Sequence, residues 1–166
     1  ETFEFLENVL TEIMDIFPSQ YIHVGGDEAS KKAWTECSLC QARMEALGLT
    51  HVDELQSYMI RRIGAFLESH GRTLVGWDEI MQGGADSAAV VMVWRGVDQG
   101  VRAAEGGNRT IMSPGAFCYF DTYQDDPSTL PPAMGGYTPL SKVYSFEPVP
   151  DGLDSAAASN IIGVQA

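Results

Sequence analysis

Tyr21-Ile22-His23-Val24-Gly25-Gly26-Asp27-Glu28 decides how this chain is read. Its first five residues have the Tyr, Ile and Val content of a strand buried on both faces, as in a parallel sheet. Two glycines allow a bend, and two adjacent carboxylates follow at the strand's carboxyl end. That end is where parallel α/β sheets and barrels place their chemistry. Neighbouring side chains on an extended backbone point apart, so Asp27 and Glu28 are free to take different roles, one handling a proton and the other steadying a charge. A competing reading has Asp27, Glu28 and Ser30 capping the next helix against its dipole. A third, metal binding by His23, Asp27 and Glu28, lacks the further histidine that would complete a transition-metal set.

Upstream, Phe5, Leu6, Val9, Leu10, Ile13, Met14 and Phe17 recur at helical spacing, with Thr2 as the N-cap and Pro18 as the stop. Downstream, Lys31 to Leu47 is polar and partly helical, ending at Gly48. Thr50 then caps a longer helix with Asp53 at its third position and a stripe of Val52, Leu55, Met59, Ile63, Phe66 and Leu67, closed by Gly71. Strands are expected at Thr73–Trp77, Val90–Trp94, Thr110–Ser113 and Asn160–Gln165, with a short helix around Gly100 to Glu105. The aromatic segment Phe117–Tyr123 reads as a loop. So does Asp125 to Asp154, rich in Pro, Gly and Asp and too long to be a mere connection.

Short apolar strands alternating with helices predict a parallel α/β sheet. The strands end in acids or aromatics, at Asp27 and Glu28, Trp77, Trp94 and Tyr119, as in a (β/α)8 barrel whose site is built from several strand ends. A doubly wound sheet is the alternative, but Gly25-Gly26-Asp27 is not a phosphate-binding glycine fingerprint. A Trp in an apolar run is ordinarily core. Three aromatics in register with a carboxylate pair instead suit a sugar, whose flat C–H faces pack on rings while acids take its hydroxyls.

The balance of 23 acidic against 10 basic residues gives a net charge of −13, which disfavours nucleic acid and anionic membranes as partners. No apolar run approaches the roughly 20 residues that span a bilayer. The chain begins at Glu1 with no signal-peptide pattern, as expected of a processed or excised segment. Cys37 and Cys40 form a C-x-x-C without the second pair a zinc site needs, which favours a local structural pair or a disulfide over catalytic redox. Asn108-Arg109-Thr110 is a formal glycosylation sequon, expected on the face away from the site.

His23-x-Gly25-Gly26-Asp27-Glu28, together with Trp77, Trp94, Tyr119-x-Asp121 and the terminal Gly163-Val164-Gln165-Ala166, resembles the catalytic domain of the family 20 glycoside hydrolases, the β-N-acetylhexosaminidases. The resemblance runs in order along essentially the whole chain. It implies a partial (β/α)8 barrel, strands four to seven plus the start of strand eight, as a single catalytic domain over residues 1–166 truncated at both ends. It implies a retaining, exo-acting enzyme that removes terminal β-linked N-acetylglucosamine or N-acetylgalactosamine with no cofactor or metal. Under it, Glu28 is the general acid and then the base, and Asp27 orients the substrate's 2-acetamido group and stabilises its developing charge. Tyr119 donates a hydrogen bond to that group, Trp77 and Trp94 enclose its methyl, Asp121 holds a sugar hydroxyl, and His23 joins the substrate-binding set. An acid must keep its proton at the working pH, which an ionised Asp27 alongside favours.

The family's first three strands, with the arginine that clamps sugar hydroxyls, are absent before Glu1. Its usual last-strand Trp and Glu fall beyond Ala166. Open barrel edges would then invite self-association, and an inactive sugar-binding or structural fragment becomes the chief alternative. A metal-dependent hydrolase, sensitive to chelation, is the second. The family is usually secreted, periplasmic or lysosomal, and the sequence itself leaves the compartment open.

Overall fold

The computed structural model describes residues 1–166, which divide into two compact units, Glu1–Val90 and Val91–Ala166. The first opens with helix α1 (Thr2–Ile16) and strand β1 (Tyr21–His23), followed by short helices α2 (Lys32–Glu36) and α3 (Ser38–Leu47). The long helix α4 (Val52–Ser69) then leads to β2 (Thr73–Trp77) and a 3-10 turn at Asp78–Met81. Strands β1 and β2 run parallel, with Tyr21 opposite Thr73 and His23 opposite Val75.

Several boundaries differ from the sequence reading for local reasons. Strand β1 stops at His23, and only Ile22 is buried. Tyr21 keeps 40% of its surface exposed, so the strand is not covered on both faces as expected. Glu1, not Thr2, is the N-cap of α1, and Met14 alone of the predicted stripe is buried; Phe5, Val9 and Phe17 face solvent. The α4 start is shifted by one residue. His51 is its N-cap and Glu54 its third residue, because the Glu54 carboxylate accepts from the backbone N–H groups of both Thr50 and His51 at 2.7 Å. Those bonds hold the Glu54 carboxyl below its ordinary range. The buried face of α4 is also turned from the predicted stripe, comprising Gln56, Ser57, Ile60, Ile63 and Leu67. As read from the sequence, glycine closes the helix. Gly71 at φ +70 donates to the Glu68 carbonyl and lets Arg72 N–H return to Leu67.

The loop after Met81 is fastened under α4. Lys31 donates to Gln82 Oε1 at 2.6 Å and pairs with Asp53 at 2.9 Å. Gly83, at φ +77, lies directly on the Asp53–Glu54 backbone, where a Cβ would overlap main-chain atoms that cannot move independently. Gly83→Ala is therefore expected to cost about 2 kcal/mol or more, read as a lower urea midpoint at unchanged slope.

The second unit contains β3, which begins at its border (Val90–Val93), then α5 (Val97–Glu105), β4 (Thr110–Met112), the single-turn α6 (Gly115–Cys118), α7 (Leu140–Tyr144), α8 (Ser155–Asn160) and β5 (Ile161–Val164). Strands β3 and β4, and β4 and β5, pair in parallel, with Val93 opposite Met112 and Met112 opposite Val164. Helix α5 starts three residues before the predicted Gly100 and packs Gly100, Ala103 and Ala104 inward. Helix α8 was absent from the sequence reading, which assigned Asn160 to the last strand. Asp154 caps it by accepting from Ala157 N–H at 2.8 Å, and Asn160 is its final residue, donating to the Ala104 carbonyl. The predicted loop segments hold the last two residues of α6, a 3-10 turn at Pro127–Thr129 and α7. Asn108 is 2% exposed, so the folded chain does not present the sequon's amide for glycosylation.

Candidate active site

The bend after β1 is held by its neighbours on three sides. Val24 N–H donates to the Val75 carbonyl, and Trp77 N–H returns to the Gly25 carbonyl, both at 2.9 Å. The side-chain amide of Gln56, on α4, donates to the Gly26 carbonyl at 2.9 Å. Gly25 and Gly26 both take positive φ, and a Cβ on Gly26 would lie 2.6 Å from Ile80 Cγ2, so both residues need to be glycine. Two residues on, Glu28 sits at φ +47, the chain's only non-glycine residue in the left-handed region. Such backbone persists where surrounding contacts over-determine it, commonly at functional sites.

Asp27 and Glu28 are both exposed. Neither caps the next helix: the N-cap of α2 is Lys31, and no side chain caps it. The capping interpretation of the acid pair therefore fails on geometry. No three His, Cys, Asp or Glu side chains converge to hold a metal ion, so His23, Asp27 and Glu28 do not make a donor set.

His23 lies beside this bend. Its Nδ1 accepts from Gly25 N–H at 3.1 Å, leaving Nε2 to carry the proton of the neutral ring. The ring meets Trp77 edge-on, centroids 4.9 Å apart at 63°. Apolar crowding pushes the imidazole below its ordinary value of 6.5, and the nearby Asp27 carboxylate offsets that only in part. The folded chain thus binds this proton less readily than the unfolded chain. Stability from His23 is complete above pH 6.5 and declines as pH falls below it. A urea midpoint that drops between pH 7.5 and 5.5 less steeply in His23→Gln than in the parent checks this sign.

Among the predicted residues, His23, Asp27, Glu28 and Trp77 belong to the first unit, gathered at the carboxyl ends of β1 and β2. Trp94, Tyr119 and Asp121 belong to the second. There, Gly115 N–H donates to the Trp94 carbonyl at 2.8 Å, and the Tyr119 ring packs against Gly115, 3.6 Å from where a Cβ would stand. Trp94 and Tyr119, both half-buried, are thereby brought to one turn. Asp121 is exposed, and its carbonyl accepts from Met134 N–H at 2.9 Å. Gln56 was missed from sequence. It lies 4% exposed on the α4 face turned from the predicted stripe, one turn before Ile60, and its polar side chain gave no sign of burial.

Parallel strands followed by helices or turns, with acids and aromatics at the strands' carboxyl ends, define an α/β domain of the barrel class. The profile of "Glycosyl hydrolase family 20, catalytic domain" matches residues 1–166. The chain is 46% identical over 165 residues to a beta-hexosaminidase of Porphyromonas gingivalis, covering 99% of this chain and 21% of that protein. It is 36% identical to a beta-hexosaminidase of Vibrio furnissii, covering 89% of this chain and 24% of the relative. Among solved structures it superposes, with a TM-score of 0.85 and 31% identity, on the GH20 exo β-N-acetylglucosaminidase of Vibrio harveyi in complex with N-acetylglucosamine, over 98% of this chain and 26% of that one. The chitobiase of Flavobacterium johnsoniae gives a TM-score of 0.83 at 28% identity, over 99% of this chain and 24% of that one.

The chain belongs to glycoside hydrolase family 20. Its fold is part of a (β/α)8 barrel, as the sequence implied, and not a doubly wound sheet. It spans between a fifth and a quarter of the length of these two relatives.

Proposed function

We propose that this chain carries the acid and the acetamido-orienting carboxylate of a retaining, exo-acting β-N-acetylhexosaminidase. Such an enzyme removes terminal β-linked N-acetylglucosamine or N-acetylgalactosamine from glycans. The observation that carries the reading is the bend at the end of β1. Two solvent-facing carboxylates stand there, neither spent on capping a helix, with Glu28 at positive φ just after a hydrogen-bonded bend. The likeness to hexosaminidases, one of them bound to N-acetylglucosamine, supports the same substrate class.

The chemistry balances without a cofactor. Glu28 donates its proton to the glycosidic oxygen as the bond from that oxygen to the anomeric carbon breaks. The substrate's acetamido oxygen forms the new bond to that carbon, giving a cyclic oxazolinium, and family 20 departs in this way from the two-carboxylate scheme. Asp27 steadies the positive charge that develops on the acetamido nitrogen. Water then attacks the anomeric carbon, Glu28 takes its proton, and the ring opens with configuration retained. In this scheme Trp77 and Trp94 wall the acetamido methyl, Tyr119 donates to its oxygen, Asp121 accepts from a sugar hydroxyl and His23 supports the sugar beside Trp77.

Hydrolysis of an aryl N-acetyl-β-glucosaminide tests the reading. Release of the phenol that persists in chelator supports it, whereas activity lost on chelation favours a metal-dependent hydrolase. Binding of the sugar without turnover leaves a sugar-binding unit. Self-association through the outer strand is a further part of the proposal. Strand β5 pairs with β4 on one side and exposes Ile162 and Val164, so a concentration-dependent rise in mass by light scattering is expected.

A further inference from the structure

Cys37 and Cys40 take no part in the sugar chemistry, yet their placement gives them a chemistry of their own. Cys37 is a one-residue joint, ending α2 and serving as the N-cap of α3. Cys40 is the third residue of α3, the position whose side chain reaches back to the N-cap in a capping box. Positions three apart on a helix are neighbours with Cβ atoms about 5–6 Å apart, so the about 3.5–4.5 Å that a disulfide needs takes a small adjustment, which the non-helical Cys37 joint allows. Both are free thiols, and both keep part of their surface in solvent. The third cysteine, Cys118, is buried in the second unit.

The two sulfurs are differentiated by hydrogen bonds. The Cys40 backbone N–H and thiol and the Leu39 backbone N–H, at the start of α3, hold the Cys37 thiol below the ordinary range. Cys40, as the donor to that sulfur, is held above it. Backbone N–H groups and the positive end of the α3 dipole stabilise a thiolate, the species that attacks disulfides. Burial pushes the Cys118 thiol up and makes it an internal control.

We propose that Cys37 and Cys40 form a redox-active dithiol, with Cys37 as the attacking sulfur and Cys40 as the resolving one, that closes to a local disulfide with a small-molecule disulfide as oxidant. The Cys37 thiolate attacks one sulfur of the oxidant, breaking its S–S bond and expelling one thiol, which takes up a proton. Cys40 then loses its proton and attacks the Cys37 sulfur of the mixed disulfide, expelling the second thiol. Two electrons and two protons leave the chain, and the oxidant is reduced to two thiols. The closed ring ties the α2–α3 joint to the first turn of α3. The proposal is independent of the sugar reading.

The test uses the intact chain and glutathione. Trypsin cleavage after Lys32 and Arg43 places both cysteines in one peptide, Ala33–Arg43, in which fragmentation distinguishes them. Brief iodoacetamide treatment at pH 7 is expected to label Cys37 about tenfold faster than Cys118. Oxidised glutathione should convert the peptide to a form two hydrogens lighter. Cys40→Ser should stop at a glutathione adduct on Cys37, and Cys37→Ser should abolish the fast reaction. Labelling of Cys37 no faster than Cys118 overturns the proposal. So does retention of both free thiols at every glutathione ratio, or a fast reaction that survives Cys37→Ser.

Discussion

Glu28→Gln is expected to slow hydrolysis of a β-linked N-acetylglucosamine disaccharide by about 10²- to 10⁴-fold, the range a positioned general acid supplies. A thousandfold loss corresponds to about 4 kcal/mol of transition-state stabilisation. With an activated aryl leaving group the same substitution should cost far less, because a phenolate that leaves readily needs little protonation. The amide keeps the volume of the acid and adds no charge. The ratio of the two losses therefore isolates proton donation from damage to the bend. Equal losses on both substrates would remove Glu28 as the acid and assign it to positioning.

Asp27→Asn should behave differently, with a loss of about 10²- to 10³-fold on both substrates, since its proposed work is electrostatic and precedes the fate of the leaving group. Asp27 also lies close enough to favour the charged form of His23. Removing its charge should lower the His23 pKa further, a change visible in an NMR titration of the imidazole protons. Loss confined to the disaccharide would place Asp27 in leaving-group protonation and reverse the two roles.

The order of strand, glycine bend and acids from Tyr21 to Glu28 could be read from sequence because they are contiguous, although the strand ends at His23 and is not covered on both faces. What escaped sequence reading depended on contacts between distant residues. The bend that precedes Glu28, itself at positive φ, is fixed by bonds with Val75, Trp77 and Gln56, which come from other elements. The buried face of α4 was misplaced because Gln56 and Ser57 are polar, yet both turn inward, the Gln56 amide N–H donating to the Gly26 carbonyl and the Ser57 hydroxyl to the Gly84 carbonyl. Helix α8 was hidden by its composition: Ser-Ala-Ala-Ala-Ser carries no apolar stripe, and its stability comes from the Asp154 cap and the docking of Ala157 and Asn160. The shift at the α4 start turned on one carboxylate, where Glu54 outcompeted the expected cap by accepting from two backbone N–H groups. Trp77 was identified correctly as a strand end from its position alone, whereas its edge contact with His23 required the pairing of β1 with β2.

The central claim is that this chain holds the carboxylate that recognises a cyclised acetamido group. Calorimetric titration with the thiazoline analogue of N-acetylglucosamine, which mimics the oxazolinium ring, tests it most directly. The account predicts saturable binding that Asp27→Asn weakens by at least about tenfold and Glu28→Gln leaves within a few-fold. Binding that Asp27→Asn leaves unchanged, or no binding by the parent chain, would contradict it.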